Sequence, residues 1–253
     1  MSAMEPGPRG WALPLYERVL VHVPTGSELL DVGCGSGEFA QVAVDRGLVV
    51  SGVDLDRRAV AAASDRVPEG RFRVGDAHDL DWPDAAVDAV VAVQLLAHVT
   101  NPLMVLREAA RVVRPGGAVV VTVWGREPEC EMRLFGEVLA PLLPPRPARR
   151  SPDGAPPLTE PDRLTKLTGL AGLRVAAVDE VCCAFRYTSA DELVGALLAS
   201  EIGRVAARRV GPGAVRRAAL AGLAGHREPD GGYRLDNLFR VLAARVPQET
   251  TMA

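Results

Sequence analysis

Three glycines and two aspartates carry the strongest chemical signal in this sequence. Asp31-Val32-Gly33-Cys34-Gly35-Ser36-Gly37 follows the apolar pair Leu29-Leu30 and leads into a helix-like stretch from Glu38. Glycines at such a turn let the backbone approach a ligand closely, and the first N–H groups of the next helix stay free for an anionic group. Asp54 ends a second apolar run, Leu48 to Val53, where a carboxylate is placed to accept hydrogen bonds from ribose hydroxyls. The run Gly35-Ser-Gly37-Glu-Phe-Ala40 also fits a dinucleotide fingerprint, so these residues alone leave the nucleotide class open. His98 is a candidate general base for a hydroxyl substrate, imidazole being the side chain most often used for that step, with packing as the alternative. Cys34, Cys130, Cys182 and Cys183 show no ligand spacing, and no Asp/His cluster of metal-ligand type is present, so no metal is expected.

The surrounding residues narrow the choice. Leu29 to Ala40 resembles the first motif of the class I S-adenosylmethionine (SAM)-dependent methyltransferases. Gly52-Val-Asp54-Leu55 is similar to that family's ribose segment, and Gly75-Asp76-Ala77-His78-Asp79-Leu80 to its adenine segment. Val87 to Val93, Leu96-Ala-His98-Val99 and Val105 to Gly117 resemble its fourth and fifth elements, in order, within residues 26–124.

The resemblance implies roles position by position. Asp31 would face the methionine amino group, while Gly33, Cys34, Gly35 and Gly37 form the close backbone. Asp54 would take the ribose, Leu55 would pack on adenine, and Asp76 with Ala77 would read the adenine edge. Val93 and Gln94 would line the methyl-transfer side. Trp11 and Tyr16 precede the core, where related enzymes fold a segment over the cofactor, so lid or simple packing are both open for them. SAM is the implied methyl donor and S-adenosylhomocysteine the implied product.

Elements must hold these residues in place. Short apolar runs alternate with helical spacing from Leu13 to Val123, which predicts an α/β fold with a doubly wound, mostly parallel sheet. The family resemblance extends this to a seven-stranded Rossmann-like sheet, with Leu173–Phe185 sixth and Tyr233–Val246 seventh and antiparallel. Pro115-Gly116-Gly117 reads as a turn before a strand from Ala118. The expected division is an N-terminal helical segment or lid in 1–25, a SAM-binding core in 26–124, a proline-rich cap insertion with a helix in 125–172, and closing strands in 173–253 with a helical cap over 189–230.

Composition sets the outer limits. Among 253 residues, 48% are hydrophobic and 24% charged, an ordinary globular balance. A net charge of −3 and 4% aromatic residues argue against a nucleic-acid surface or an anionic-membrane partner. Met1 to Gly10 has no apolar core of a signal peptide, and no long apolar span is present, so a cytoplasmic location is expected. The expected function is methyl transfer to the oxygen or nitrogen of a small molecule, in specialised metabolism. Its alternatives are a SAM-binding protein that transfers no methyl group, an RNA or protein methyltransferase, and a nicotinamide-dependent dehydrogenase.

Overall fold

Val-, Leu- and Ala-rich runs become strands where Gly, Pro or Asp bounds them. In the computed structural model, which describes residues 10–144 and 157–248, these are β1 (Glu28–Val32), β2 (Val49–Asp54), β3 (Arg71–Val74), β4 (Val87–Ala92), β5 (Val113–Trp124), β6 (Arg174–Tyr187) and β7 (Tyr233–Arg245). They form one seven-stranded sheet in the order β3-β2-β1-β4-β5-β7-β6. The first five pair in parallel, whereas β7 runs antiparallel to β5, with Ala118 opposite Arg245 and Trp124 opposite Phe239. The doubly wound, mostly parallel sheet expected from the alternation is therefore present.

The helices are α1 (Leu13–Leu20), α2 (Glu38–Asp45), α3 (Arg57–Arg66), α4 (Pro102–Val112), α5 (Arg133–Leu139), α6 (Pro161–Leu170), α7 (Ala190–Ala199), α8 (Glu201–Val210) and α9 (Pro212–Gly222). Two compact units emerge. Among the described residues, the first comprises 14–124, 157–181 and 239–248, and the second 10–13, 125–144 and 182–238.

In the first unit, Leu30, Val32, Val90, Val119, Val121 and Leu242 on one sheet face meet Leu106 and Ala109 of α4 and Leu164 of α6. Each fully buried aliphatic side chain there contributes about 1.5–3 kcal/mol relative to exposure. Side-chain caps fix where helices begin: Asp56 accepts the N–H of Arg58 at 2.8 Å before α3, and Asn101 accepts that of Met104 at 3.2 Å before α4. His22, past the end of α1, is tied by Nε2 to Asp179 at 2.6 Å.

The second unit has its own apolar centre, including Phe135, Leu139, Leu193, Leu197, Val215, Leu223 and Leu235. Ser200 both ends α7 and caps α8, accepting the N–H of Gly203 at 3.0 Å and donating to the Leu197 carbonyl at 2.7 Å. Asn237, fully buried, accepts the N–H of Met132 at 2.9 Å.

Some boundaries depart from the sequence reading. Pro115-Gly116-Gly117 lies inside β5 rather than in a turn before it. The pairing with β4 shifts register between Val87 and Ala89, so the strand absorbs an irregularity there without ending. Gly117 is needed at that point, because a Cβ would sit 2.5 Å from the Asp88 carbonyl oxygen. Within the expected helical cap, Gly211 separates α8 from α9, and Pro212 opens α9 as a first-turn residue. Pro145, Pro147, Pro152 and Pro156 of the proline-rich stretch lie outside the described residues.

Candidate functional site

The strand order reverses between β1 and β4, and in such sheets a crevice opens at the carboxyl ends of the strands on either side. The predicted site residues converge there. Asp31 is the penultimate residue of β1, Asp54 ends β2, Asp76 follows β3, and Val93 and Gln94 follow β4.

The glycine turn is built for close approach. Gly33, Gly35 and Gly37 all have positive φ, at 76°, 52° and 78°. The N–H groups of Gly33 and Cys34 both donate to the Val53 carbonyl, at 2.8 and 3.0 Å, which pins the turn to β2. Arg66 of α3 holds the far side by donating Nε–H to the Ser36 carbonyl at 2.8 Å. Nothing lies within 4 Å of the position a Cβ would take at Gly35, so that backbone faces open space.

Asp31 is 2% exposed and its carboxyl has neither a hydrogen bond nor an ion pair among the described residues. Burial first, and then the nearby Asp54 charge, push its carboxyl up to about 8. A buried acid with no cation of its own is costly, and the deficit matches a ligand that brings an ammonium group. A pyrophosphate would be repelled by the same carboxylate. Burial likewise pushes the Cys34 thiol upward, with Asp31 and Asp54 adding to the shift, so it is a packed side chain and not a nucleophile.

Asp54 has a second task that the motif did not reveal. Its Oδ2 accepts the N–H of Gly35 at 3.0 Å and its Oδ1 that of Asp56 at 2.9 Å. Each oxygen keeps a further lone pair, so the residue braces the glycine turn while remaining an acceptor. Beside it, Leu55 is an apolar side chain left 57% exposed, a surface suited to a flat base. Asp76 is open to solvent along one side, whereas the Ala77 side chain is buried in the core and leaves only its backbone for a ligand.

Val93 is half-buried, and Gln94 is a non-glycine residue with φ of 54°. That conformation costs on the order of 1–2 kcal/mol and persists when the surroundings over-determine it. They do so here: the backbone N–H and the side-chain Nε2 of Gln94 both donate to Thr122 Oγ1, each at 2.9 Å.

Three predicted residues sit apart from this pattern. The His98 side chain is exposed and has no hydrogen bond among the described residues, so packing in the core is not its role. Trp11 belongs to the second unit, where its ring lies 4.7 Å from Phe185. Tyr16 is in the first unit, 5.5 Å from the Phe39 ring, and burial followed by the charges of Glu38 and Asp31 raises its phenol.

Two groups were missed from sequence. Arg111 of α4 donates to the carbonyls of Leu80 and Trp82, each at 2.8 Å, and pairs with Glu108, which itself accepts the N–H of Leu80 at 2.9 Å. This clamp fixes the loop that carries Asp76 and Ala77. His78, inside the same loop, contacts Asp76 directly. An Arg and a Glu three apart on a helix read only as a surface pair, and no sequence pattern shows which loop they grip.

Comparison with known proteins agrees with the geometry. A family model described as a methyltransferase domain matches residues 30–121. The chain is 38% identical over 103 residues to the 27-O-demethylrifamycin SV methyltransferase of Amycolatopsis mediterranei (strain S699), covering 38% of each. It is 32% identical over 163 residues to the ubiquinone biosynthesis O-methyltransferase of Azoarcus sp. (strain BH72), covering 60% of this chain and 66% of that one. Among solved structures, the [4+2]-cyclase SpnF aligns over 98% of this chain and 86% of its own, with a TM-score of 0.61 and 25% identity. The matched region spans between about a third and two thirds of the length of these curated relatives. With the motifs in order, the sheet topology and a buried Asp31 beside the glycine turn, residues 30–121 are a methyltransferase domain of the class I SAM-dependent type.

Proposed function

We propose that the protein transfers the methyl group of SAM to an oxygen or nitrogen of a small-molecule acceptor. The observation that carries this reading is Asp31, a buried carboxylate lacking a cation beside a turn open at Gly35. Bound SAM supplies an electrophilic methyl on a sulfonium. The chain's own residues then have three tasks: Asp31 neutralises the ammonium, Asp54 and Asp76 hold the nucleoside, and the Gln94–Thr122 pair fixes the backbone beside the methyl side. Catalysis by alignment and exclusion of water suits such a site. His98, exposed and unbonded, is the residue offered to take a proton from an acceptor hydroxyl.

Support for a small acceptor comes from relatives whose names specify a rifamycin, a phytylhydroquinone and ubiquinone biosynthesis. No helix among the described residues is long and apolar enough to cross a membrane, and none of them form a cluster fit to hold a metal ion.

A second reading has an observation of its own. The match to a protein named as a [4+2]-cyclase covers nearly the whole chain, and one fold hosts unrelated chemistries. In that reading SAM binds but its methyl group stays in place.

One assay separates them. Purified protein is incubated with SAM and a panel of phenols, hydroxylated polyketides and amines, with structured RNA and peptide arms, and S-adenosylhomocysteine is measured. Acceptor-dependent product with a small molecule supports transfer. SAM binding without turnover on any arm supports the second reading, and turnover on RNA alone overturns the small-molecule proposal. In the same assay His98→Gln is expected to lower the rate about a hundredfold with SAM affinity intact if it acts as base.

A further inference from the structure

His78 is a side chain of the adenine loop that has no task in the reading above. Its backbone N–H donates to Asp76 Oδ1 at 2.9 Å, and its ring Nδ1 lies 2.7 Å from the same oxygen. The other ring nitrogen, Nε2, accepts the backbone N–H of Asn101 at 3.3 Å and lies 3.5 Å from the Thr100 hydroxyl. A backbone N–H can only donate, so Nε2 is the bare nitrogen and Nδ1 carries the hydrogen directed at Asp76. The tautomer is thus set from both sides.

Both His78 contacts fall on Oδ1, and no hydrogen bond from the described residues reaches Oδ2. The Asp76 side chain is 49% exposed and the His78 ring 23% exposed, so the carboxylate faces outward from a partly covered support. An aspartate alone on a loop samples several rotamers. Two donors on one oxygen hold its plane and leave Oδ2 as the open acceptor. The backbone N–H and the ring of His78 also keep the Asp76 carboxyl below the usual carboxylate range, so it stays an acceptor only. At its far side the ring reaches Asn101, the cap of α4, and thereby ties the loop after β3 to the helix after β4.

We infer that His78 is a positioning residue for base recognition, aiming Asp76 Oδ2 at the exocyclic amino group of adenine and so setting the preference for 6-amino over 6-oxo purine cofactors. The inference rests on the reading of Asp76 as the adenine acceptor. An amino group donates to an aligned carboxylate, whereas a 6-oxo group sets acceptor against acceptor. Without His78 the carboxylate keeps its charge but can turn aside, and the penalty against the oxo base fades.

The test is calorimetric titration of the full chain with S-adenosylhomocysteine and its hypoxanthine counterpart, S-inosylhomocysteine. The unaltered protein is expected to prefer the adenine form by about tenfold or more. Asp76→Ala is expected to bring that ratio within about threefold. His78→Ala is expected to reduce it as far, with the melting temperature close to that of the parent. His78→Asn, whose amide nitrogen stands near the imidazole Nδ1, is expected to restore most of it. Should His78→Ala fail to fold, His78→Phe keeps the ring volume without a donor and gives the same comparison. If Asp76→Ala removes the preference while His78→Ala or His78→Phe keeps it, the inference is overturned and the adenine reading stands. If Asp76→Ala keeps the preference, the adenine reading itself is wrong and the inference falls with it.

Discussion

At the scale of single residues, Asp31 shows how a binding site is destabilised before its ligand arrives. Burial and the neighbouring Asp54 hold its carboxyl at about 8 in the folded chain, far above the ordinary carboxylate range. A raised folded value means that the folded state keeps a proton the unfolded chain releases. Stability from this group is therefore complete at acid pH, below the ordinary carboxylate value, and is lost as pH rises through about 8. A ligand ammonium reverses the preference, because the ionised carboxylate is then the paired form. Binding at pH 7 is accordingly expected to release a proton. Calorimetry in two buffers of different ionisation enthalpy reads that release directly, and binding without proton exchange would show Asp31 already ionised. Asp31→Asn, neutral at every pH, is expected to be more stable than the parent above pH 8 by about 1–3 kcal/mol while losing SAM affinity.

At the scale of elements, the glycine turn separates two demands that a motif writes with one letter. Gly35 has φ of 52° and open space around its missing Cβ, whereas Gly37 has φ of 78° and a Cβ that would lie 3.0 Å from the Ala63 Cα of α3. Gly35→Ala is expected to cost about 1 kcal/mol of stability for its left-handed backbone and to lose most SAM affinity, since the methyl enters the ligand's approach. Gly37→Ala is expected to lose stability more, about 2–3 kcal/mol, because α2 and α3 must move apart. Denaturant melts beside titrations check the order, and equal effects on both properties would contradict it. The turn was legible because glycine spacing, the preceding Asp31 and the following helix are local in sequence. The second task of Asp54, the Arg111 clamp and the His78 bridge were not, because each depends on which atoms of separate segments meet. Pro115-Gly116-Gly117 misled for a related reason: β5 pairs with β4 at Val113 and again from Ala118, and the segment between is held in the strand by the backbone bonds of Gly116 and Gly117 to Val246.

At the scale of the whole molecule, a seven-stranded, mostly parallel sheet with an antiparallel last strand was readable from alternation and the family's motifs, but the acceptor was not. Residues such as Leu193, Leu197, Val215 and Leu223 fill the centre of the second unit with generic apolar contacts, and the same pattern serves many acceptors. What the whole chain does report is its cofactor, through linkage. A ligand bound only by the folded state adds stability that grows with the logarithm of its concentration, about 2.7 kcal/mol at a hundred times Kd and about 1.4 kcal/mol for each further tenfold. SAM and S-adenosylhomocysteine are expected to follow that law, with NAD giving no gain, since the buried Asp31 carboxyl gains a charged partner from an ammonium and none from a pyrophosphate. The same titration followed by amide hydrogen exchange is expected to slow exchange at Gly33, Cys34, Gly35 and Asp56, whose N–H groups are all fixed by the end of β2. Stabilisation by NAD equal to that by SAM would place a dinucleotide on the glycine turn and leave the buried carboxylate without a reason.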